Sequence, residues 1–62
     1  MFIKVTEIRN GKYLKFPRYV NSDSIKIIDL ATDISDTSIT FLDDSIIYVK
    51  ETADEILKQI NK

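Results

Sequence analysis

Apolar and polar side chains alternate at the start of the chain, which is the period of a β-strand. A first strand is predicted over residues 2–8, with Ile3 and Val5 on its inner face. Glu7 then stands where the pattern requires an apolar residue, and Ile8 falls on the polar face. This change of phase predicts a β-bulge or a strand that is apolar on both faces.

A two-residue turn, Asn10-Gly11, follows directly. Both residue types tolerate positive φ, and between two strand-like segments they are typical of a type I′ hairpin. The second strand is predicted over residues 12–16, with Leu14 and Phe16 directed inward. The beginning of the chain should therefore form a β-hairpin.

The alternation returns three more times in the rest of the chain. Further strands are predicted over residues 25–30, 38–42 and 46–50. Polar turns or loops are predicted over residues 21–24, 31–37 and 43–45, which are rich in side chains that hydrogen-bond to their own backbone. The last two strands should form a second hairpin.

The end of the chain changes to the period of a helix. Apolar residues recur there at the spacing i, i+3, i+4, i+7, namely Ala53, Ile56, Leu57 and Ile60. Thr52 and Glu55 fit the capping box, in which each side chain bonds the backbone amide of the other residue. A helix is therefore predicted from Thr52 to Asn61, and its apolar stripe must dock on the sheet because so short a helix is marginal alone.

These elements predict one mainly β (α+β) domain over residues 1–62. The fold would be a five-stranded, mainly antiparallel sheet with a C-terminal helix. The sheet would be strongly curled, or closed into a small SH3-like barrel. Eleven isoleucines, three valines and five threonines favour strands, because β-branched side chains suit a pleated sheet.

The composition excludes most familiar catalytic groups, because the chain has no histidine and no cysteine. It cannot form a Ser-His-Asp or Cys-His group, a disulfide, or a zinc site of the usual ligands. A calcium loop is not expected, because the spacing and the central glycine that it needs are missing among the acids Asp29, Asp33, Asp36, Asp43 and Asp44. We expect no enzyme activity, no metal and no cofactor.

Membrane insertion is not expected, because the chain contains no apolar run of about 18 residues. Its first residues alternate instead of forming the apolar block of a signal peptide. We therefore expect a cytoplasmic protein.

Charge is unevenly distributed: residues 1–26 hold six Lys or Arg and two acids, and residues 27–62 hold three and eight. Basic and aromatic side chains are interleaved around the first hairpin, which makes this segment a candidate binding site. Its candidate residues are Arg9, Lys12, Tyr13, Lys15, Arg18 and Tyr19. Such a segment can bind phosphates and stack on bases, or it can protect a sheet edge from aggregation. Nucleic acid is the less favoured partner, because the pI is near 5.2.

Ile46 and Tyr48 are predicted to lie on the outward face of the last strand, and Phe2 and Ile8 are out of phase on the first. Either a curled sheet covers these side chains, or they form an interface with a second copy or another protein. Ile46 and Tyr48 therefore join the candidate partner-binding residues. A homodimer is a further expectation, because a chain of this size has a small core.

The chain resembles the FlbD-like small proteins of flagellar and swarming motility over nearly its whole length. The residues that carry the resemblance are Ile3-Lys4-Val5-Thr6, Asn10-Gly11, Asp36-Thr37-Ser38-Ile39-Thr40-Phe41, Tyr48-Val49-Lys50-Glu51-Thr52 and Glu55-Ile56. One departure is the turn Asp43-Asp44-Ser45, where the family tends to carry Asn-Gly or Asp-Gly. The resemblance implies a setting in flagellar motility and no catalytic residues.

The function predicted from the sequence is a small non-catalytic protein-interaction or adaptor module whose partner is another protein. Two alternatives stay open. One is a phage or mobile-element protein that inhibits a host factor, which fits the small size and the charge asymmetry. The other is a small nucleic-acid-binding regulator.

Overall fold

The computed structural model describes residues 1–30 and 37–61, so the loop predicted over 31–37 lies almost entirely outside the described residues. The described strands are β1 (Phe2–Val5), β2 (Glu7–Arg9), β3 (Lys12–Tyr13), β4 (Arg18–Asn21), β5 (Ile25–Leu30), β6 (Thr37–Phe41) and β7 (Ile46–Val49). A short 3-10 turn, Ser22–Ser24, precedes β5, and the helix α1 spans Ala53–Ile60.

The strands form two antiparallel sheets. Five of them pair in the order β3-β2-β7-β6-β5, and β1 pairs with β4 in a separate two-stranded sheet. The predicted mainly β fold, with a five-stranded antiparallel sheet and a C-terminal helix, is confirmed. Within the described residues the larger sheet is open, with β3 and β5 at its edges and β7 in the middle. The closed-barrel alternative is not confirmed.

The predicted first strand is in fact two strands that belong to different sheets, and Thr6 separates them. The Glu51 carboxylate accepts hydrogen bonds from the Thr6 amide at 2.7 Å and from its hydroxyl at 3.0 Å. The Thr6 carbonyl accepts a hydrogen bond from the Lys50 amide at 2.9 Å. These contacts divert the chain at the point where the sequence pattern changes phase, and Glu7 takes a core position.

The predicted second strand is also corrected, because β3 ends at Tyr13 and not at residue 16. Phe16, which was predicted to point inward, is exposed. The pattern also missed β4, whose Val20 lies opposite Ile3 and is buried with it. Only one side chain of β4 joins the buried apolar core, so β4 leaves almost no alternating signal in the sequence.

The hairpin turn at Asn10-Gly11 is confirmed, because both residues have positive φ, 54° and 76°. Arg9 and Lys12 form the closing pair of this hairpin. At the second hairpin Asp44 has φ 69°. The turns therefore form where the sequence places residues that tolerate left-handed backbone.

The core lies between the two sheets and the helix. Its buried apolar side chains are Ile3, Val5, Val20, Ile39, Val49 and Ile56. The capping box is confirmed: the Glu55 amide donates a hydrogen bond to the Thr52 hydroxyl at 3.1 Å, and the Thr52 amide donates one to the Glu55 carboxylate at 3.2 Å. Ile56 is buried, whereas Leu57 is 43% exposed, so the predicted apolar stripe is narrower than its spacing suggested.

Candidate functional site

Glu7 lies at the centre of an ionic cluster formed with Arg9 and Arg18. One carboxylate oxygen accepts a hydrogen bond from the Arg9 guanidinium at 3.1 Å, and the other oxygen accepts one from the Arg18 guanidinium. Arg18 reaches Glu7 because it lies opposite Val5 on the inner face of the β1–β4 sheet. The Glu7 side chain is only 7% exposed, whereas both arginines are about half exposed.

Burial and ion pairing act in opposite directions on Glu7. Burial by itself raises the pKa of the Glu7 carboxyl, because it removes water from the charged form. The hydrogen bonds and charges of Arg18 and Arg9 outweigh burial, so this pKa lies below its ordinary value. Two of the predicted binding residues therefore hold a buried carboxylate in its charged form.

The five-stranded sheet exposes one face, which we call the outer sheet face. Its apolar side chains are Ile8, Tyr13, Ile27, Ile46 and Tyr48, of which Ile8 is half-buried and the others are exposed. Ile8 lies opposite both Tyr13 and Tyr48, so these three side chains share one face across β3, β2 and β7. The opposite face carries Val49 and Ile39 into the core.

A basic side chain covers part of the outer sheet face. Lys50 follows β7, and its Nζ atom lies 5.4 Å from the centre of the Tyr13 ring. This distance is within the range of a cation–π contact. The β3 side of the face therefore carries a positive charge held over an aromatic ring.

The β1–β4 sheet exposes a second surface, on the other side of the core, which we call the Phe2–Tyr19 face. Phe2 and Tyr19 are 68% and 62% exposed. Lys4 lies directly opposite Tyr19, and Phe2 lies opposite Asn21, so Phe2 and Tyr19 are diagonal neighbours. The other face of the same two strands is buried through Ile3, Val5 and Val20.

The helix holds this strand pair in place. The Gln59 side-chain amide donates to the Lys4 carbonyl and accepts from the Lys4 amide, both at 2.9 Å. This pair of bonds replaces those of a neighbouring strand along the edge of β1. The Phe2–Tyr19 face is therefore presented on backbone that is fixed from both sides.

The structure divides the predicted site residues among different surfaces. Tyr13, Ile46 and Tyr48 lie together on the outer sheet face, and Tyr19 lies on the opposite side of the core. Arg9 and Arg18 bind Glu7. Lys12 and Lys15 are exposed at and beyond β3. Sequence reasoning noted Phe2 as out of phase but did not pair it with Tyr19, because β4 was missed.

Two further observations concern other kinds of site. Residues 1–30 and 37–61 contain no group of three or more acidic, histidine or cysteine side chains that could hold a metal ion. No helix in these ranges is long and apolar enough to cross a membrane.

The geometry defines a small, mainly β domain with one capped C-terminal helix and with aromatic side chains exposed on two opposite faces. The family described as FlbD: Flagellar and Swarming motility proteins matches residues 2–62. The chain belongs to this family, and the resemblance seen in the sequence is confirmed. No curated protein and no solved structure matches the chain significantly.

Proposed function

We propose that this chain is a non-catalytic module that binds another protein in flagellar or swarming motility, and that the Phe2–Tyr19 face is its binding surface. The motility setting is supported by the family match over residues 2–62. A cytoplasmic location stays a prediction.

The observation that carries the proposal is the exposure of two neighbouring aromatic side chains on a fixed strand pair. Phe2 and Tyr19 are more than half exposed, although the opposite face of the same strands is buried in the core. Aromatic side chains with few rotatable bonds are the commonest anchors of protein interfaces. Lys4 lies opposite Tyr19 on the same face and adds one positive charge, which favours a partner with an acidic side chain at this point.

The alternatives receive less support. Binding of nucleic acid would rely on the four cations of the basic segment, but Arg9 and Arg18 are bonded to a buried carboxylate, which leaves only Lys12 and Lys15 of the four for phosphates. The family match favours motility over a phage inhibitor. We therefore retain the protein-binding module as the proposed function.

Swarming tests the proposal. In cells whose own gene carries Tyr19→Ser, we expect swarming to be lost, because truncating an aromatic anchor costs about 2 kcal/mol or more of binding free energy. The matched control is Leu42→Ser, because Leu42 is similarly exposed, at 64%, but lies in the turn after β6. Both variants should melt like the wild type. Normal swarming of Tyr19→Ser, or equal loss in the control, would contradict the proposal.

A further inference from the structure

We propose that two copies of this chain associate through their outer sheet faces, with the two β7 strands lying along the two-fold axis. This inference is independent of the proposed function, because it uses the surface on the opposite side of the core from the Phe2–Tyr19 face. A second copy of the chain fits this face because of the strand order, the exposed apolar side chains and the distribution of charge.

The strand order determines which strands of the two copies would lie over each other. β7 is the middle strand of the five, with β2 and β3 on one side and β6 and β5 on the other. One row of directly opposed residues crosses the outer sheet face from edge to edge: Tyr13, Ile8, Tyr48, Ser38 and Asp29. A two-fold axis parallel to β7 therefore stacks the two copies in reversed strand order: β7 lies over β7, β2 over β6 and β3 over β5.

Apolar character is concentrated at the proposed axis. Tyr48 and Ile46 are the outward residues of β7, and both are exposed. In this arrangement each of them meets its own counterpart, and Ile8 packs beside them. Burial of these side chains adds to a core that has only six buried apolar residues among those described. Dimers with two-fold symmetry are the commonest assembly of such chains.

Charge is complementary across the same axis. The Lys50 ammonium group is held over Tyr13 on the β3 side, and Asp29 lies at the other end of the row, on β5. Rotation about β7 brings Asp29 of one copy over Tyr13 of the other, next to Lys50. Opposite charges then meet twice in each dimer, so the face complements itself.

The first test is the mass of the purified protein in solution. Light scattering after size exclusion at high micromolar concentration should give twice the chain mass of 7.2 kDa. Tyr48→Lys should give a monomer, because two like charges would meet at the axis. Leu42→Lys is the matched control and should stay a dimer. A monomeric wild type, or a dimer that persists in Tyr48→Lys, would overturn the proposal.

The second test is a charge exchange that probes the arrangement itself. Lys50→Glu and Asp29→Lys should each raise the dimer dissociation constant about 3- to 30-fold, because each places like charges together twice. The combined variant restores opposite charges and should return to within about threefold of the wild type. A combined variant as weak as the single ones would overturn the proposed axis. Swarming by a monomeric protein would leave the function proposed above intact.

Discussion

Glu7 is buried, charged and bonded to two arginines, and this combination sets how the fold responds to acid. Its pKa is lowered in the folded protein, so the folded state favours the carboxylate. The resulting stabilisation is present above the ordinary value of 4.5 and is lost as the pH falls through the lowered pKa. Acid should therefore weaken the junction between β2 and β4.

Glu7→Gln tests this role. At neutral pH the variant should be about 1 to 2 kcal/mol less stable, because a neutral amide replaces a carboxylate that pairs with two half-exposed arginines. Between pH about 5 and about 3 its melting temperature should fall less than that of the wild type, since the titrating group is gone. Asp54→Asn, on the exposed side of α1, is the control. Parallel pH profiles for wild type and Glu7→Gln would contradict this account.

The sequence marks Glu7 but not its partners. An acid at a core position of an alternating strand is visible in the pattern, and Glu7 is indeed buried there, but the structure has a strand break at Thr6 in place of the predicted β-bulge. Arg18 could not be assigned to it, because the contact depends on β4, whose single buried apolar residue leaves no period to detect. The ion pair between Glu7 and Arg18 therefore depends on β4, a strand that the sequence pattern does not reveal.

At the scale of elements, α1 is the best predicted part of the fold. Its start is fixed by a capping box within four consecutive residues, and its apolar period is likewise local. The division between β1 and β2 was not predicted, because Glu51 imposes it on Thr6 from 45 positions away in sequence. A local signal such as the capping box can be detected in the sequence pattern, whereas a strand break caused by a side chain distant in sequence cannot.

A comparison of Ile56→Ala with Leu57→Ala tests how α1 docks. Ile56 is fully buried in the core, so its truncation should cost about 2 to 5 kcal/mol of unfolding free energy. Leu57 is 43% exposed, and its truncation should cost about 1 kcal/mol or less. The two variants lose the same number of carbon atoms, which makes each the control of the other. Equal losses in urea denaturation would contradict the observed orientation of the helix.

At the scale of the whole molecule, the basic segment predicted as one site is distributed over three places. Two of its arginines serve the Glu7 cluster, Tyr13 lies on the outer sheet face, and Tyr19 lies across the core. The sequence could not show how these residues are grouped, because their grouping follows from the pairing of β1 with β4. The result is a domain with two exposed aromatic faces instead of one.

The central claim is that the Phe2–Tyr19 face binds a protein other than this chain, and crosslinking in swarming cells tests it most directly. A photoreactive phenylalanine analogue at position 19 should give one adduct to a different protein, and Phe2→Ser in the same chain should weaken it. The same analogue at position 42, which is equally exposed, should give no such adduct. Absence of the adduct at position 19, an equal adduct at position 42, or an adduct of only two copies of this chain would contradict the claim.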